Sequence, residues 1–94
     1  MTNLMKKRLD ELIGKGSELR FGCFGYDVAA MEIAGTDESV NGDDSQERQF
    51  DVTVETAGPG VLDRVSLEKM LALAGYQLVG YTTDDGFSDY YYSR

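Results

Sequence analysis

The 94-residue sequence contains no histidine, one cysteine and one proline. Without histidine, the chain lacks the commonest general base and the commonest metal ligand of proteins. The single cysteine, Cys23, excludes an intrachain disulfide, and its neighbours Phe21 and Phe24 favour a small core residue over a reactive thiol. We therefore expect a protein that is not an enzyme and that holds no cofactor or metal.

Long apolar runs are also missing, so we expect neither a signal peptide nor a membrane span. The start of the chain, Met1 to Met5, is followed directly by the basic residues Lys6, Lys7 and Arg8. A hydrophobic content of 41% in 94 residues is enough for one domain with a single core. We expect a single cytoplasmic domain over residues 1–94.

Negative charge is concentrated in the middle of the chain. The net charge is −8, and residues 32–55 contribute −7 of it through eight carboxylates and one arginine. A concentrated negative field attracts basic surfaces and repels nucleic acid and anionic membranes. Low hydrophobicity and high charge predict a flexible acidic loop at about 35–48. The carboxylates are Glu32, Asp37, Glu38, Asp43, Asp44, Glu47, Asp51 and Glu55.

Periodicity predicts a helix and three strands in the first half of the chain. Apolar residues at helical spacing indicate a helix over 3–13, which Gly14 and Gly16 would end. Residues 18–24 alternate as a strand, and Gly22 and Gly25 suggest a bulge or a close backbone approach. Residues 26–34 fit a strand or a short helix; we favour the strand. Residues 49–56 form the clearest strand, with Phe50, Val52 and Val54 on one face.

The second half predicts a helix followed by a hairpin. Ser66 would open the helix, with Val65 and Met70 packed across its start, and Gly75 would end it. Two aromatic strands, 76–82 and 87–93, flank an Asp-Gly turn. The order α-β-β-β-α-β-β predicts an α+β two-layer sandwich, in which two helices cover one face of an antiparallel sheet of about five strands. The other face would stay open to water or to a partner.

Two acidic segments resemble metal sites only in part. Asp37, Ser39, Asn41 and Gly42 fit the first half of a calcium-binding EF-hand loop, but Arg48 occupies the position of the closing glutamate. We favour a polar hairpin loop over 37–47, and calcium binding there is the open alternative. The carboxylates of the 84–89 segment are explained by turn chemistry without a metal.

Three consecutive tyrosines lie near the end of the chain. Strand alternation places Tyr91 on one face and Tyr90 and Tyr92 on the other. We expect Tyr91 in the core, and Tyr90 and Tyr92 exposed near the carboxylates of the 84–89 segment. Tyrosine is enriched at binding hot spots, so the exposed pair could anchor a partner.

The first functional hypothesis is a non-enzymatic protein-binding module. It would dock on a basic, nucleic-acid-binding surface of a partner protein and act as an inhibitor, without binding nucleic acid or membrane itself. Small acidic anti-CRISPR and anti-restriction proteins of phages act in this way; the likeness is one of size and charge. The expected contact residues are Asp37, Glu38, Asp43, Asp44, Glu47, Asp51, Glu55, Tyr90 and Tyr92.

The second hypothesis is a structural or assembly subunit. It would self-associate, for example as a homodimer, through the aromatic hairpin near the end of the sequence. Self-association and partner binding belong to different functional classes, and the oligomeric state separates them.

Overall fold

A computed structural model of the chain describes residues 3–36, 50, 52–56 and 61–94. The two helices and five strands follow each other in the predicted order, and the α+β architecture is confirmed. The elements are α1 (Asn3–Lys15), β1 (Glu18–Phe24), β2 (Asp27–Ala34), β3 (Val52–Glu55), α2 (Arg64–Leu73), β4 (Gln77–Asp84) and β5 (Phe87–Ser93).

The strands form one antiparallel sheet in the order β3-β2-β1-β5-β4, with β1 in the centre. The ambiguous segment 26–34 is a strand, because it pairs with β1 along its length. The β1–β2 ladder has an irregularity at Gly22, but the extra residue is on β2: Gly22 pairs with Ala30 and Cys23 pairs with Val28, which leaves Ala29 without a ladder partner. β3 is shorter than the predicted 49–56 strand; of the remaining residues, Gln49 and Asp51 lie outside the described residues.

Both helices pack on the same face of the sheet. On β1 this face carries Leu19, Phe21 and Cys23, each 1% exposed. Their neighbours on the other strands share the face through the register of the ladders. The remaining core side chains come from both helices, the flanking strands and the loops before and after α2: Leu9, Leu12, Ile13, Val28, Met31, Ile33, Leu62, Leu67, Leu71, Tyr76 and Tyr92.

The end of α1 differs from the prediction. The helix continues through Gly14 to Lys15, and neither Gly14 nor Gly16 has a positive φ angle. Gly16 is required for a different reason: a Cβ atom there would lie 2.8 Å from the Tyr76 hydroxyl oxygen and would also overlap the Ile33 side chain. Close packing, and not a left-handed turn, therefore explains this glycine.

The start of α2 also differs from the prediction. Asp63, not Ser66, is the N-cap: its Oδ1 accepts a 2.7 Å hydrogen bond from the Ser66 amide, and Oδ2 accepts one of 2.9 Å from the Ser66 hydroxyl. These bonds lower the pKa of Asp63. Val65 lies inside the helix and is 48% exposed, so the expected apolar contact across the helix start is wrong. The end of α2 is as predicted, with Gly75 at a φ of 91°.

Arg94 connects the ends of both helices. Its Nε donates to the Gly16 carbonyl at 2.7 Å, Nη1 donates to the Ala74 carbonyl at 2.8 Å, and Nη2 donates to the Gly14 carbonyl. The guanidinium also lies 4.8 Å from the centre of the Tyr76 ring. A cation here satisfies carbonyls that helix ends leave unpaired and faces the negative end of both helix dipoles.

Within the described residues, neither helix is long and apolar enough to cross a membrane.

Replacing Arg94 tests this connection. We expect Arg94→Ala to lower the free energy of unfolding by about 1–2 kcal/mol, because three carbonyls lose a charged donor. Arg94→Lys, which keeps the charge but not the planar fork, should lose less. Urea unfolding followed by circular dichroism measures both variants, and equal stability of wild type and Arg94→Ala would contradict the role.

The buried thiol of Cys23 gives a pH-dependent prediction. Burial raises the pKa of Cys23 from 9.0 to about 11. The thiol therefore ionises first in the unfolded chain, so the contribution of Cys23 to stability should be fully present below pH 9 and be lost as the pH rises towards about 11. Burial also raises the pKa values of Tyr76 and Tyr92, so both reinforce the fall. Urea unfolding across this range should show a smaller fall for Cys23→Ala; an equal fall would contradict the assignment.

Candidate protein-binding face

Charge is segregated between the two layers of the fold. The helices carry six basic and three acidic residues, whereas the strands carry one basic and six acidic residues. The ladder register places all six strand carboxylates on the face opposite the helices, which we call the acidic face. They are Glu18, Asp27, Glu32, Glu55, Asp84 and Asp89. Among the described strands, the acidic face therefore has a charge of −5.

A row of four residues crosses one end of the acidic face. Asp27, Phe24, Phe87 and Asp84 are successive ladder partners on β2, β1, β5 and β4. The two phenylalanines therefore lie side by side in the middle, with a carboxylate position on either side. Central aromatic residues with charged residues around them are typical of a protein-binding hot spot.

The aromatic part of this row is well packed against the sheet yet accessible. The Phe24 and Phe87 rings meet edge to face, with centroids 4.7 Å apart. Phe87 lies over Gly22, where a Cβ atom would overlap its ring. Phe24 is 61% exposed, and Tyr26 in the adjoining turn is 71% exposed. We call Phe24, Tyr26 and Phe87 the aromatic tip.

The β4–β5 turn adds a further carboxylate beside the aromatic tip. Asp85 and Gly86 form the two-residue turn, with φ angles of 51° and 84°. Positive φ at both positions is typical of a type I′ hairpin, which the Asp-Gly pair predicted. Asp85 and its neighbour Asp84 are exposed, so both carboxylates can meet a partner at this end of the sheet.

Further along the acidic face, Arg20 is held between two aromatic rings. Its Nη2 donates to Glu32 Oε1 at 2.5 Å, and this hydrogen bond raises the pKa of Arg20. The guanidinium carbon lies 5.0 Å from the Phe50 ring centre and 5.9 Å from that of Tyr91. Phe50 therefore lies on the acidic face. The prediction that it would share a face with Val52 and Val54, which pack on the core, is wrong.

Most of the predicted contact residues cannot be placed. Asp37, Glu38, Asp43, Asp44, Glu47 and Asp51 lie outside the described residues, as does the calcium-like segment. Glu55 is exposed on the acidic face, opposite Ala30. Across the part of the chain that the structure describes, no three cysteine, aspartate or glutamate side chains are arranged to hold a metal ion.

The predicted exposure of the tyrosines is wrong. Tyr92 is a core residue, 8% exposed, with its ring centroid 5.7 Å from that of Phe21. Tyr90 is half-buried, between Phe21 at 5.2 Å and the Arg64 guanidinium at 4.7 Å. Tyr91, expected in the core, lies on the acidic face. Pairing of Tyr90 with Phe21 and of Tyr92 with Leu19 explains the inversion, since ladder partners share a face.

The sequence contained a signal for the correct assignment. Asp89 has the same strand parity as Tyr91, so a carboxylate marks that face as the wet one. Phe24 is out of phase with Leu19, Phe21 and Cys23, which places it on the same wet face as Asp89. The aromatic tip could thus have been predicted in part, whereas its contact with Phe87 required the β1–β5 register.

Comparison of the chain with protein-family models, with curated proteins and with solved structures gives no significant match in any of the three.

Two glycine substitutions test the packing of the aromatic tip. Gly22→Ala should displace the Phe87 ring and lower the free energy of unfolding by about 1–3 kcal/mol. Gly14→Ala is the matched control: nothing lies within 4 Å of its added Cβ, and it should stabilise the helix by about 0.5–1 kcal/mol. Urea unfolding measures both. A stable Gly22→Ala variant with unchanged near-ultraviolet dichroism would contradict the packing.

Proposed function

We propose that this chain is a non-enzymatic protein-binding module that docks on a basic surface of a partner protein. The observation that carries the proposal is the coincidence of two features on one face: segregated carboxylates and exposed aromatic rings. Carboxylates alone are common on solvated surfaces. An edge-to-face phenylalanine pair with an aspartate position on either side is suited to bury its rings against a partner while the aspartates meet lysines and arginines.

The two features have different roles in binding. The charge of the acidic face accelerates association with a basic surface and sets the orientation of approach. The aromatic tip slows dissociation, because burial of Phe24 and Tyr26 removes apolar surface from water. The acidic segment at 37–47 lies between β2 and β3 in the sequence and carries five further carboxylates.

The proposed partner is a cytoplasmic protein whose basic surface normally binds nucleic acid. An acidic face offers such a surface the same sign of charge as a phosphate backbone, so the module competes with nucleic acid and acts as an inhibitor. Anti-CRISPR and anti-restriction proteins are the functional analogy. The module itself does not bind nucleic acid, since the two charges repel.

Affinity capture from the source cell, followed by calorimetry with the purified partner, tests the proposal. We expect a basic partner whose binding is weakened at least tenfold by Phe24→Ser and by the double variant Asp84→Lys/Asp89→Lys. Nucleic acid should compete, and added salt should weaken the complex. Reversing Asp43, Asp44 and Glu47 to lysine should weaken it further if the acidic segment contributes.

Two matched controls lie on the helical layer. Asp10→Lys/Glu11→Lys makes the same change in charge at exposed positions of α1, and Leu73→Ser removes an apolar side chain that is 90% exposed on α2. Both should retain full affinity. The proposal is wrong if the controls weaken binding as much as the acidic-face variants, or if nucleic acid does not compete.

A further inference from the structure

β4 is an exposed edge strand with unusual composition. It lies at one end of the sheet, and within the described residues β5 is its only ladder partner. Seven of its eight residues are exposed, including Leu78 at 50%, Val79 at 66% and Tyr81 at 65%. The opposite edge, β3, has only four residues. Proteins normally protect a long edge with lysine, proline or inward-pointing charge, and residues 77–83 contain none of these.

β4 carries uncovered apolar surface. Leu78 pairs with Tyr92 and Tyr81 with Tyr90, so both lie on the helical side of the sheet, yet they are at least half exposed. Tyr81 is anchored from one side by Tyr90, whose centroid is 6.0 Å away. Val79 is the extra residue of a bulge in the β4–β5 ladder. The strand from Gly80 to Asp84 is regular and available for further pairing.

The absence of charge on residues 77–83 indicates which molecule would pair with this edge. A basic partner gains nothing from a strand whose residues 77–83 are uncharged, whereas a second copy brings an equally uncharged strand. In a protein of net charge −8, seven consecutive uncharged residues on this edge let two copies approach with little local repulsion. Antiparallel pairing centred on Thr82 keeps each side chain on the same side of the joined sheet and places the single terminal carboxylate, Asp84, opposite the uncharged Gly80. Parallel pairing would place Asp84 against its copy.

We infer that two copies of this chain associate through antiparallel pairing of β4 with β4, which joins the two sheets into one of ten strands. The interface is isologous, with the two-fold axis crossing the paired strands. Tyr81 of each copy lies in the new ladder, and Leu78 and Val79 flank it. The inference does not depend on the proposed function, because it uses an uncharged edge and not the acidic face.

Light scattering over a range of concentrations tests the inference. The wild type should change from 10.4 kDa to twice that mass as concentration rises. Val79→Lys and Tyr81→Lys, which place a charge on the edge, should remain monomeric. Leu73→Lys is the control: it charges a residue that is 90% exposed away from the edge, and it should dimerise as the wild type does.

Hydrogen exchange on the wild type provides a second readout that does not require the variants to fold. Amides of β4 should exchange more slowly at high concentration than at low concentration, while those of β3 should not change. Added salt should strengthen the dimer, because it screens repulsion between two acidic chains, whereas it weakens a complex with a basic partner. The two proposals can therefore fail separately.

Three results would overturn the inference. A wild type that stays monomeric at its highest soluble concentration has no such interface. A dimer that Leu73→Lys disrupts and Tyr81→Lys does not is held through α2. Concentration-dependent protection in β3 but not in β4 would place the contact at the opposite edge.

Discussion

The alternation of side chains along β1 is the constraint on which the rest of the structure depends. β1 is the central strand, and each residue that pairs with it on β2 or β5 lies on the same face of the sheet as its β1 partner. Once Leu19, Phe21 and Cys23 pack against the helices, Phe24 and Arg20 must lie on the other face. A one-residue slip of β5 would move Tyr90 and Tyr92 into water, and a slip of β2 would do the same to Met31 and Ile33. Either slip would also turn carboxylates towards the core. The core and the acidic face are therefore two consequences of one register.

The elements and their order could be predicted from the sequence, because hydrophobic periodicity is local. The stripe of α2 and the Asp-Gly turn are examples of such local signals. The prediction failed to identify the buried face of a strand in which both faces carry aromatic residues, although Asp89 marks the solvent face of β5. In β5 the alternation of Tyr90, Tyr91 and Tyr92 was correct, but its phase came from pairing with Phe21, a contact between residues far apart in sequence. Phe50 was misplaced for a related reason: it lies just outside β3, where strand parity does not extend.

The predicted contact residues have three different outcomes. Six lie outside the described residues, Glu55 lies on the acidic face, and Tyr90 and Tyr92 lie on the helical side of the sheet. Charge concentration in the sequence indicated a basic partner, and the described strands add that carboxylates avoid the helical layer. The aromatic tip combines residues from two hairpins, so no single segment reveals it. Asp63 shows a similar effect at the start of α2. Its carboxylate caps the helix three residues before the serine that local pattern favoured, while a backbone hydrogen bond from Arg64 to Tyr26 attaches this helix start to the β1–β2 turn.

The charge of the acidic face opposes the pairing of two copies through β4. Pairing at β4 about a two-fold axis perpendicular to the sheet keeps both acidic faces on the same side, so their charges repel across the junction. This repulsion is smallest if the strands that meet carry no charge, which describes residues 77–83. In the proposed dimer, the bulge at Val79 would limit regular pairing to the part of β4 that follows it and so keep the association weak. Such a dimer would present two acidic faces to one extended basic surface, and binding of both faces would strengthen the pairing by linkage.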